Sequence, residues 1–131
     1  MDIADKYFEI AMQEGSIPYD EYLQKLYDLW EIVGDDYIHV YNSYLIVDNI
    51  IEVSLNLKML DVAEKWADIA MSYDNTSSAF GMDGEFRVAE VAFAKKNMEK
   101  AALHFRNVYN SFGLRPFEGK NPEYLKLIGK K

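Results

Sequence analysis

The strongest constraint on the fold is a helical period that runs through nearly the whole chain. Apolar residues recur at spacings of three and four in segment after segment, and the period-two alternation of a half-buried strand is almost absent. In 4-ADKYFEIAMQEG-15 the stripe is Ala4, Tyr7, Phe8, Ala11 and Met12, and Gly15 ends it. Ser16 and Pro18 fit a new start, because a proline in the first turn gives up an N–H that has no helical partner there. The next helix is 19–33, with Tyr22, Leu26, Leu29 and Val33 inward and Gly34 closing it. A third, about residues 36–56 and capped by Asp35 or Asp36, is apolar nearly all round, which predicts packing on several sides. A fourth covers 59–73, with Ala63, Ala67 and Ala70 along one face. Residues 74–83 form the most loop-like stretch, and helices follow at about 84–95 and 97–112. Asn121 as N-cap, Pro122 at the first helical position and Glu123 in the first turn start a short last helix.

Helices of this length on short connections form antiparallel hairpins. The expectation is therefore an all-α single domain over residues 1–131. It has three hairpins, about 4–33, 36–73 and 84–112, and a C-terminal cap at about 114–129. A chain of 131 residues, half of them apolar and 15% aromatic, can bury roughly two-thirds of its unfolded surface in one core. Cysteine is absent, which removes disulfides, thiolate metal sites and a cysteine nucleophile and fits a reducing compartment. The N-terminus has no basic segment followed by an apolar run, so no signal peptide is expected, and the placement is cytoplasmic. The most apolar window, 37–57, is interrupted by His39, Asp48 and Glu52, so no membrane span is expected. A net charge of −8 disfavours nucleic acid and suits a basic protein partner.

The chain also repeats itself. With Ala63 set over Ala101, Leu60 falls on Met98, Ala67 on Phe105, Ala70 on Val108, Ile51 on Ala89 and Glu52 on Glu90. This alternation of small and large residues resembles the tetratricopeptide repeat, most closely in 84–113, where Ala89, Ala92, Ala101 and Phe105 take the signature positions. The pattern departs from the family where Lys58 and Lys96 replace the turn glycine, where Trp66 is off-register for the aromatic, and where Val108 replaces alanine. The tail, with Phe105, Tyr109, Gly113, Phe117-Glu118-Gly119, Pro122 and Tyr124, resembles the C-terminus of small bacterial tetratricopeptide-like proteins. Members of that group are often immunity proteins of polymorphic toxin systems. The resemblance implies a protein that binds and neutralises a cognate toxin domain, basic in charge and a nuclease among the candidates. The alternative is a secretion chaperone or scaffolding adaptor that binds a peptide segment.

Catalytic patterns are missing. His39 and His104 fall in different hairpins, and neither has a carboxylate or histidine three or four residues on. No H-E-x-x-H, P-loop or nucleophile-elbow motif occurs. Asp35 and Asp36 one turn before His39 are explained by a helix cap more simply than by a metal site. The expectation is a non-enzyme with no metal and no cofactor. Binding fits better, because stacked hairpins present a surface lined by the first helix of each pair. On the repeat alignment that surface carries Asp48, Glu52, Leu55 and Asn56 in the second pair, and Asp83, Phe86, Glu90 and Phe93 in the third. Acids interleaved with aromatics suit a basic segment, although Phe86 and Phe93 equally suit core between helices. Arg87 and Lys95 are the only cations in those two helices, so the face has the wrong sign for gripping a C-terminal carboxylate. In the tail, Gly113 is the helix stop, Phe117 the plug and Gly119 the turn, while Pro122 and Tyr124 belong to a helix that covers remaining apolar surface.

Overall fold

A computed structural model describes residues 2–74 and 84–130. Among them are seven α-helices and no strand: α1 (Ile3–Ala11), α2 (Tyr19–Val33), α3 (Tyr44–Asn56), α4 (Leu60–Met71), α5 (Gly84–Ala94), α6 (Met98–Phe112) and α7 (Glu123–Leu127). Short 3₁₀ turns occupy Tyr37–His39 and Arg115–Phe117. Extensive packing joins α3 to α4, α4 to α5 and α5 to α6; α1 packs on α2, and α2 on α3. A second set of contacts runs sideways, from α1 to α3 and from α3 to α5.

Two apolar clusters share α5. Tyr22, Leu26, Ile46, Ile50, Ala63, Trp66 and their neighbours form the larger, which Val88 and Val91 join from α5. Phe86, Ala89 and Ala92 on the other side of α5 pack with Ala101, Phe105, Phe117 and Ile128. A helix buried on both sides must start close to its neighbour, and Gly84 allows this. A Cβ there would overlap the backbone of Ala70 and Met71 at the end of α4. The Asp74 carboxylate fixes the same junction by accepting the Gly84 and Glu85 N–H groups, each at 3.0 Å. Burial raises the Asp74 pKa, and these two donors oppose the rise. We expect Gly84→Ala to lower the free energy of unfolding by about 1–3 kcal/mol, the usual cost of forcing a methyl group into a packed contact. Urea denaturation monitored by circular dichroism measures it, and an unchanged midpoint would mean that α4 and α5 move apart freely.

The turns inside the pairs α3–α4 and α5–α6 match bond for bond at the 38-residue offset of Ala63 and Ala101. Met59 N–H donates to the Ser54 carbonyl at 2.8 Å and Asn97 N–H to the Ala92 carbonyl at 2.9 Å; Lys58 N–H reaches Leu55 O at 3.1 Å and Lys96 N–H reaches Phe93 O at 3.0 Å. This paired pattern closes a helix through a residue in the left-handed region, where glycine is favoured. Lys58 and Lys96 sit there at φ of 62° and 66°. Lys96→Gly should therefore raise stability by about 0.5–1 kcal/mol, since relief at positive φ outweighs the added freedom of the unfolded chain. A fall in the thermal midpoint would contradict this.

Two local expectations are corrected. The third helix begins at Tyr44 rather than 36. Asn42 at φ 66° breaks the path, and the buried Ser43 hydroxyl anchors the break by donating to the Tyr37 carbonyl at 2.7 Å while meeting the Tyr73 hydroxyl at 2.6 Å. Asp36 bonds His39 Nδ1 at 2.7 Å instead of capping a long helix. In α1 the inward side is Ile3, Tyr7 and Ile10. Phe8 and Met12 are left 53% and 83% exposed. Both stripes have helical spacing, and packing against α2 and α3 selects between them.

Candidate functional site

The sequence-derived face starts on α3. Asp48 and Glu52 lie one turn apart, and their side chains are 43% and 50% exposed. Asn56, one further turn on, is exposed, and Leu55 is half-buried against the core. Asp83 lies outside the described residues. The neighbouring helix α5 differs from the open surface anticipated there. Phe86 is only 4% exposed. Its ring meets Phe105 at 5.3 Å, Phe117 at 5.2 Å and Tyr124 at 5.9 Å. Phe93 is half-buried and meets Tyr124 edge-on at 5.0 Å. Both aromatics are core under the C-terminal segment, because α7 lays Tyr124 across them.

Glu90 is also buried, and it is paired. Arg87, one turn earlier on α5, donates from Nη1 to Glu90 at 2.9 Å. It donates from Nε to Asp48 at 2.8 Å and reaches Glu52 at 3.4 Å. One planar cation thus serves three carboxylates and ties α5 to α3, a task for which the guanidinium fork is well shaped. Burial works against the Arg87 charge, but Asp48, Glu90 and Glu52 outweigh it and hold the group above its ordinary range. For Glu90 burial dominates and raises the pKa, although Arg87 and Lys120 both pull it down. Tyr124 adds a long hydrogen bond of 3.4 Å to the other Glu90 oxygen. Burial and the nearby Glu90 charge raise the Tyr124 pKa as well.

The sequence pairings did not anticipate this hub. Arg87 lies far along the chain from Asp48 and Glu52, so no helical spacing connects them. Their signal was one of composition: a lone Arg in the apolar helix α5, with acids on α3, two helices earlier. The second cation behaves similarly, with Lys95 Nζ donating to Asp61 at 2.8 Å and Glu64 at 3.0 Å. His104 also gains a tertiary partner, Glu85 at 2.8 Å, which accepts in addition from Asn107 Nδ2 at 2.9 Å.

The tail residues surround the same helix. Gly113 at φ 70° closes α6 and Gly119 at φ 74° makes the following turn. Phe117 is 5% exposed. Its ring packs against both Phe86 and Phe105 and lies 6.2 Å from that of Tyr109. Asn121 Oδ1 accepts the Glu123 N–H at 2.9 Å across Pro122, one residue ahead of the helix. Tyr124 stacks on Phe105 with centroids 4.4 Å apart.

The result is a face with more negative charge than its one buried cation neutralises. Asp48 and Glu52 keep about half their side-chain surface exposed. Among the described residues no group of three His, Cys, Asp or Glu side chains could hold a metal ion, and no helix is long and apolar enough to cross a membrane. Comparison with protein-family models, with curated proteins and with solved structures returns no match.

Proposed function

We propose that this chain is a non-catalytic protein-binding module of tetratricopeptide-like build, acting in the cytoplasm as an immunity protein that neutralises a basic cognate toxin domain. The observation that carries the reading is the half-exposed acidic pair Asp48 and Glu52 beside the buried Arg87. Two further features support it. The matched turns at one offset and the lateral contacts from α1 to α3 to α5 suit a stack whose first helices share a surface. The F-E-G and P-x-Y phrases of the tail supply the resemblance to immunity proteins.

Because Glu90 is buried, a charge reversal there would damage the fold, and Glu52 is the residue to change. The test is co-purification with the product of the adjacent upstream gene. Glu52→Lys is expected to weaken that complex by about 2 kcal/mol or more while leaving helicity unchanged. No complex with a toxin-like domain would sink the immunity reading. Full affinity for a short basic peptide alone would move the protein to the chaperone or adaptor class.

A further inference from the structure

The two ends of the helix stack carry opposite charge and unburied apolar surface. At one end α1 packs on α2 and α3. Its outward stripe is Asp5, Phe8, Glu9 and Met12, with Phe8 53% and Met12 83% exposed. These positions are three and four apart, so they form one contiguous strip. Asp2, Glu14, Asp20 and Glu21 add to the negative charge nearby in sequence, against a single Lys6. At the other end α7 packs on α6 and, through Tyr124, on α5. Its far side forms a shallow, mainly apolar groove of about 560 Å³ lined by Pro122, Leu125, Lys126, Gly129 and Lys130. This end is basic in an otherwise acidic chain, with Arg115, Lys120, Lys126 and Lys130 against Glu118 and Glu123. Lys126 pairs with Glu123 at 2.9 Å, but both side chains are more than half exposed, and such a pair holds its partner weakly. Lys130 lies 5.1 Å from the Tyr109 ring with its charge still unpaired by a carboxylate among the described residues.

We infer that the groove on α7 takes the Phe8–Met12 face of α1 from a second copy of the chain, in a head-to-tail contact. Phe8 and Met12 fill the apolar floor, and Asp5 and Glu9 face the lysines on its rim. The fit depends on charge complementarity between two ends of one molecule. A contact between unlike patches leaves one head and one tail free in a dimer, so it can extend beyond a dimer, into rings or open chains, at high concentration. Its electrostatic share makes it sensitive to salt.

Sedimentation velocity over a concentration series up to about 1 mM, the range of weak association, tests the idea on the intact protein. The sedimentation coefficient should rise with concentration at low salt and fall back at high salt. Phe8→Lys blocks one end and Lys126→Glu the other. Both sites are solvent-exposed, so circular dichroism should show unchanged helicity, and each variant should self-associate at least tenfold more weakly. An equimolar mixture of the two should recover a dimer and nothing larger, because one intact head and one intact tail remain. A wild-type protein that stays monomeric throughout overturns the inference. So does association that survives both changes, or a mixture that stays monomeric after each variant alone has lost association.

Discussion

Replacing Arg87 by methionine is expected to destabilise the fold by about 3 kcal/mol near neutral pH, and the penalty should shrink as the solution is acidified. Methionine keeps the apolar stem of the side chain and removes the charge. Asp48 and Glu52 are about half exposed and can return to water. Glu90, whose side chain is 10% exposed, cannot. The expected cost is therefore that of one stranded buried carboxylate, at the lower end of what breaking a buried ion pair costs.

The pH dependence follows from the same residue. Burial raises the pKa of Glu90 in the folded protein above its ordinary value. A group with a raised native pKa binds its proton more tightly when folded, so protonation favours the native state as pH falls through that value. Arg87 opposes the rise. Without it the Glu90 pKa climbs further, and acid relieves more of the strain in the variant than in the wild type. Urea denaturation of both proteins at about pH 8 and about pH 5 should show a smaller difference at the lower pH. A difference that grows on acidification would show that Glu90 is not the stranded charge.

Phe117→Ala is expected to cost about 3–5 kcal/mol, the range for truncating a buried aromatic ring. The ring touches Phe86 and Phe105 on the two helices of the last pair, together with Tyr109. Its loss opens a cavity where α5, α6 and the tail meet. Because the tail packs at one edge of the fold, on α5 and α6, its release should come before global unfolding. Hydrogen exchange would then show lost protection over 115–128 at denaturant concentrations where α3 and α4 are still protected. A cost below about 1 kcal/mol would mean that the cluster closes over the gap and that Phe117 is not the plug.

The contact of α7 with α5 parallels that of α5 with α3. Arg87 on α5 reaches Glu52 on α3, and Tyr124 on α7 reaches Glu90 on α5. The lateral contact is therefore used twice, once with a cation and once with a phenol. On α5 it is consumed internally, and on α3 it leaves two acids at the surface. That asymmetry is why a charge reversal at Glu52 probes binding while one at Glu90 would probe the core.

Much of this architecture was legible in the sequence. The bounds of α2 coincide with the expected 19–33, and those of α4, α5 and α6 lie within a residue or two of the expected ones. Local chemistry decides these: a period of 3.6, glycine or asparagine at the breaks and proline at the starts. At the offset that sets Ala63 on Ala101, the turns at Lys58 and Lys96 share their hydrogen bonds and left-handed geometry. Those turns show that a lysine can stand at a glycine position when helix closure outweighs a cost of about 1–2 kcal/mol. The start of α3 was not legible, because the Ser43 and Tyr73 hydroxyls that fix it come from distant parts of the chain.

What the sequence determined by itself was the set of helices, their order and the excess of negative charge. Which acids stay exposed was decided only by tertiary structure. Glu52 and Glu90 align at the 38-residue offset of the sequence, yet one faces water and the other lies beneath a tail that follows it in the chain. The same holds for Phe8 and Tyr7, adjacent residues on one amphipathic helix, of which only the second turns inward. Periodicity specifies that a helix has an apolar side. It does not specify what will cover that side, because burial depends on neighbours brought in by the rest of the fold.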